Sequence, residues 1–156
     1  MAMNKAIVVE ISDRYERYPV DEPALIDAVS SVIVDSDFLE AEISLTLVDD
    51  EEMQVLNAQY LDHDYPTDVL SFPLSDQEDV LIGEIIVSID TAKNQAKEHG
   101  VSTEQELTLY AIHGALHLVG YDDKQESNRL VMRDREKYYM EKAGMASNTG
   151  SETGKD

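Results

Sequence analysis

The stretch LTLYAIHGALHLV, residues 107–119, is apolar on nearly every side when wound at helical pitch. A helix of that kind has no face to offer water, so other elements must enclose it. Its start is marked by STEQE (102–106), where Ser102–Gln105 and Thr103–Glu106 both fit a capping box. Gly120 supplies the stop. The chain must therefore build a domain around this helix, and 156 residues are enough to enclose it.

The enclosing elements can be read from their periods. AIVVEI (6–11), EISLTLV (42–48), DVLSFPL (68–74) and VLIGEIIVSI (80–89) are predicted strands, rich in β-branched residues or alternating in polarity. Helices are predicted after the Asp21 cap and Pro23, over DDEEMQVLNAQYL (49–61), and over TAKNQAKEHG (91–100) up to Gly100. A last, strongly charged helix runs from Lys124 to about Ala143. The order β-α-β-α-β-β-α-α-α predicts an α+β fold, with a small mixed sheet of about four strands packed with helices. One domain is expected over 1–144. Residues 145–156, ending in SNTGSETGKD, are expected to be a disordered tail.

Charge limits the partners. Thirty-three acidic against twelve basic residues leave a net charge of −21, which opposes non-specific binding to nucleic acid. Half of the basic residues, Lys124, Arg129, Arg133, Arg135, Lys137 and Lys142, nevertheless fall in the last helix. Alternation with Glu126, Asp134, Glu136 and Glu141 makes a solvated surface the plainer reading, and a local basic face the sharper one. With no cysteine, disulfides and thiolate ligands are excluded. No apolar run approaches the roughly 20 residues of a membrane span, and the start lacks a secretory pattern. A cytoplasmic protein without a membrane or disulfide partner is expected.

Within the enclosed helix, His113 and His117 lie about 40° apart around the axis and one turn apart along it. After Gly120 the chain can turn back, bringing Asp122 or Asp123 toward the same point. His-x3-His-x5-Asp would give three ligands and an open position for water, as in catalytic metal sites. Spacing alone also allows two satisfied core histidines. His63 and His99 have no such context and read as loop or helix-end residues. Gly114 stands where HExxH peptidases carry their glutamate base, so that chemistry is disfavoured and close packing is the expected use of the glycine. Thr67 and Asp68 read as a turn before a strand.

Taken together, LNAQY, PTDVLSFP, LIGEIIVS followed by TAKNQA, and HGALHLVGYDD resemble the YbeY family in order and spacing over roughly residues 45–135. The resemblance implies a zincin-like fold with a metal-binding central helix and one zinc ion. It also implies a metal-dependent endoribonuclease of small-subunit ribosomal RNA maturation and ribosome quality control. Its partners would be ribosomal RNA, the small ribosomal subunit and associated proteins. His113 and His117 match the family's first two ligands. The third family histidine falls on Asp123, and Asp122 matches the family's own aspartate. A carboxylate there would sit nearer the ion, make a bound water less acidic and admit manganese or iron beside zinc. A family arginine falls on Leu61, for which His63 is a distant substitute. The alternative expectation is a ribosome-associated assembly factor with weak or lost catalysis. A 2-His-1-carboxylate iron oxygenase is a remote third.

Overall fold

Main-chain pairing carries the strands beyond their apolar residues. The computed structural model describes residues 5–60, 69–75, 77–121 and 125–145. Strands β1 (Ala6–Asp13), β2 (Glu40–Val48), β3 (Val69–Pro73) and β4 (Val80–Ser88) form one sheet in the order β1-β2-β4-β3. β1, β2 and β4 run parallel, and β3 pairs antiparallel to β4. The β1–β2 register extends from Ala6↔Glu40 to Asp13↔Leu47, which accounts for the polar ends that apolar periodicity misses. The expected mixed sheet and α+β class are both present.

Five helices complete the chain: α1 (Glu22–Val34), α2 (Asp50–Tyr60), α3 (Ile89–His99), α4 (Thr103–Leu118) and α5 (Glu126–Lys142). The Asp21 side chain caps α1 by accepting from the Ala24 N–H at 3.2 Å, with Pro23 in the first turn where it removes no hydrogen bond. Gly100, in the left-handed region at φ 69°, closes α3. Of the two capping boxes offered by the sequence, the Ser102–Gln105 pair forms, its two hydrogen bonds both 3.0 Å. Thr103 is already helical, so Glu106 is released from capping and turns toward His99.

α4 touches α1, α3, α5, β3 and β4. Leu107, Ile112 and Leu116 are fully buried against Leu45 and Ile85 of the sheet. The all-round apolar pattern is thus explained, and the close approach expected at Gly114 is present. A Cβ on that residue would lie 2.7 Å from Ile85 Cγ2 and 3.3 Å from Val69 Cγ2. The opposite face of the sheet carries a smaller core, where Met53 of α2 packs with Val48, Leu70 and Ile86.

The end of β1 and the starts of α2 and α3 are tied together by two carboxylates. Asp90 accepts from the Tyr15 hydroxyl at 2.8 Å and from the Asp50 N–H at 3.0 Å. Asp50 in turn accepts from the hydroxyls of Ser88 at 2.5 Å and Thr91 at 2.7 Å. Burial opposes the charge on Asp90. The Asp50 N–H, the Tyr15 hydroxyl, Arg17 and Lys93 outweigh that opposition and hold its carboxyl below the ordinary 3.8. A depressed carboxyl stabilises the fold above its unfolded value and loses that contribution as pH falls through the folded one. Asp90→Asn should therefore be less stable than the wild type in urea at neutral pH. The difference should shrink steadily below pH 3.8.

Candidate functional site

Residues 106, 110, 113 and 117 follow one another at three- and four-residue steps, so Glu106, Tyr110, His113 and His117 share one face of α4. His113 and His117 are half-buried, with ring centroids 4.7 Å apart and planes at 76°. Their Nε2 atoms approach to 3.2 Å. Two imidazoles bound tetrahedrally at about 2.0–2.1 Å from one ion would hold their nitrogens about 3.3 Å apart. The pair fits that geometry without rearrangement of the helix.

The other nitrogen of His113 has a partner as well. Nδ1 lies in a very short contact with Oε2 of Glu136 on α5, where both side chains are largely shielded from solvent. A carboxylate can only accept, so Nδ1–H is the donor, and in the neutral ring the Nε2 lone pair faces His117. Metal-binding histidines generally donate their other ring N–H to an outer acceptor, and a carboxylate there fixes the tautomer and raises the basicity of the ring. The donor set therefore suits a divalent ion on two grounds, converging nitrogens and an oriented ring. Among the described residues no group of three or more metal-binding side chains converges. Asp123, with Asp122, Leu61, His63, Thr67 and Asp68, lies outside the described residues.

His113 opens on a cleft of about 410 Å³ that His99, Glu106, Arg129, Arg133 and Glu136 also line. A hollow of similar size near Asp35, Asp37 and Glu78 includes neither His113 nor His117. His99 is the helix-end residue expected from sequence, but it is not without context. Its Nδ1 lies 3.3 Å from Oε1 of the buried Glu106, inside the same cleft as His113.

Reading α5 as a solvated surface misses Glu136. The clue lies in spacing, because residues 129, 132, 133, 136 and 140 follow helical steps that include the buried Met132 and Met140. Four of the basic residues of α5 fall into two groups. Arg135 lies over the Tyr138 and Tyr139 rings at 4.5 and 5.2 Å, and Lys142 reaches Asp35 at 3.9 Å. Arg129 and Arg133 face the cleft instead. Lys124 lies outside the described residues.

A mixed four-stranded sheet carrying a buried helix with paired histidines beside an open cleft defines an α+β protein with a histidine-centred site. The model of the family described as Endoribonuclease YbeY matches residues 10–144. A relative named Endoribonuclease YbeY from Desulfitobacterium hafniense is 46% identical over 116 residues, which is 68% of this chain and 74% of the relative. Another of that name, from Carboxydothermus hydrogenoformans, is 36% identical over 141 residues, 88% of this chain and 99% of the relative. The solution structure of TM1509 from Thermotoga maritima superposes with a TM-score of 0.61 at 31% identity. That superposition covers 87% of this chain and 89% of the other. The chain belongs to the YbeY family, as the motif resemblance implied.

Proposed function

We propose that this chain is a metal-dependent endoribonuclease acting on ribosomal RNA during small-subunit maturation and quality control. Family membership supports the reaction class, since the matched relatives are named endoribonucleases over as much as 99% of their length. An assembly factor without catalysis is disfavoured on the same ground. The observation that carries the chemistry is the 3.2 Å approach of the His113 and His117 Nε2 atoms, with Glu136 behind His113.

His113 and His117 would hold the ion, zinc in the first instance with manganese or iron as substitutes, and Asp123 would complete the set. A bound divalent ion supplies Lewis-acid polarisation of a phosphoryl oxygen and activation of water. Glu136 holds the Nδ1 proton of His113 and keeps Nε2 available as a ligand. Tyr110 and Val69 form part of the wall beside it. The parallel core of the sheet and α4 hold these groups in fixed register, so the site needs no closing motion to assemble its histidines. None of the described helices is long and apolar enough to cross a membrane. The cytoplasm, where the ribosomal substrate resides, is the compartment this reading requires.

The purified protein loaded with zinc, manganese or iron should cut structured or single-stranded ribosomal RNA fragments. His113→Ala should abolish the cutting while the melting transition persists. If no metal restores cleavage by the wild type, the enzymatic reading fails. Asp123→Ala should lose tightly bound metal in elemental analysis, and full retention would refute its place as third ligand.

A further inference from the structure

We propose that Arg129 and Arg133 form a phosphate subsite that seats the RNA strand beside the histidine pair. This rests on the ribonuclease reading for the identity of the polyanion and deepens it by naming where the strand is held. The two arginines stand four residues apart on α5, one turn along the helix and about 40° around it, and both line the cleft that His113 opens on.

The charges of this cleft are arranged by depth. Glu106 is 3% exposed and faces the His99 ring, and the Glu136 side chain, 16% exposed, faces His113. Arg129 and Arg133 are exposed at the rim. Formal charges in the cleft nearly cancel, but an incoming strand meets the guanidinium groups first and the carboxylates only behind the imidazoles. On a chain with a net charge of −21, a rim that presents cations ahead of the carboxylates is what attraction of a polyanion requires. Two other cations on α5 lie away from this cleft, Arg135 over the Tyr138 and Tyr139 rings and Lys142 toward Asp35. A guanidinium presents two parallel N–H donors to the oxygens of one phosphodiester, and two guanidiniums one turn apart can hold neighbouring phosphates. Such contacts position the strand without reading its sequence.

The test uses the metal-loaded full chain and a fluorescein-labelled single-stranded RNA made with phosphorothioate linkages, which keeps the charge and resists cleavage. Binding is followed by anisotropy across a salt series for the wild type, Arg129→Gln, Arg133→Gln, the double variant and Arg133→Lys. Each glutamine should weaken binding roughly tenfold, as expected for loss of one charge-assisted hydrogen bond. Each should also lower the slope of log affinity against log salt by about 0.7. Arg133→Lys should keep the slope while losing part of the affinity, a pattern that a merely structural role would not give. With a cleavable RNA, KM should rise more than kcat falls. A double variant that melts like the wild type and keeps both its salt slope and its KM overturns the subsite. Arginine-dependent binding by a wild type that cuts no RNA would support the subsite while removing the ribonuclease reading, so the two failures are distinguishable.

Discussion

Glu136→Gln is expected to weaken divalent-metal binding by about 10- to 100-fold while leaving the fold intact. Glutamine keeps the volume and one acceptor oxygen, so α5 should still pack through Met132 and Met140. The negative charge behind His113 Nδ1 is what disappears. Without it the ring is less basic, and the amide can present either its oxygen or its N–H₂ to the imidazole, so the tautomer with Nε2 unprotonated is no longer enforced. Competition against a chromogenic chelator reads the affinity directly. Nitrogen-15 NMR of the imidazoles reads the tautomer independently of catalysis. Wild-type affinity with an unchanged His113 tautomer would show that the carboxylate is only a neighbour. Glu136→Asp, which keeps the charge but shortens the reach, should fall between glutamine and the wild type.

The second large effect concerns the meeting of α4 with the sheet, and its sign depends on the background. Ile85 is fully buried and lies directly under Gly114. Ile85→Ala should cost ~2–5 kcal/mol in urea unfolding, the transfer and cavity penalty of a core truncation. Gly114→Ala in the wild type sets about 1–3 kcal/mol of crowding against about 1 kcal/mol of helix propensity gained, so it should be neutral to destabilising. In the Ile85→Ala background both atoms that the new methyl would meet on that side are gone, and Gly114→Ala should become stabilising. A coupling of either sign marks a real contact, but only a favourable one fits this geometry. Additive changes would show that α4 and β4 can slide apart freely. Gly83 is the internal control, because a Cβ there meets the Leu118 Cδ1 at 2.9 Å, the far end of a flexible side chain. Gly83→Ala should therefore be the milder change.

Most of the framework was legible because its signals were local. The Ser102 box, Gly100, Asp21 and the alternation of EISLTLV each mark an element whose bounds the structure repeats to within a few residues. The enclosed helix was legible because no other arrangement satisfies a helix apolar all round. What escaped depends on contacts across the fold. Spacing from Met132 and Met140 can mark Glu136 as inward-facing, but nothing near it tells that its carboxylate will meet His113, twenty-three residues earlier. His99 and Glu106 belong to different helices, and only the turn at Gly100 brings them into one cleft. The six basic residues near the end could not be divided by sequence, because the Tyr139 and Asp35 contacts that occupy two of them come from packing. For Asp123 and Leu61 the sequence reading stands by itself, outside the described residues.

The enclosure of α4 also determines how the histidine pair can fail. Separating the backbone positions of His113 and His117 means breaking the turn between them, where Gly114, Ala115 and Leu116 are all buried. A surface loop can release its ligands in small, frequent openings, but a helix in this position opens only when the molecule does. The free energy protecting the amides of that turn then approaches that of global unfolding. The site has no independent melting of its own. The lifetime of the frame that carries the histidine pair is the lifetime of the native state, and heat would remove both in one transition.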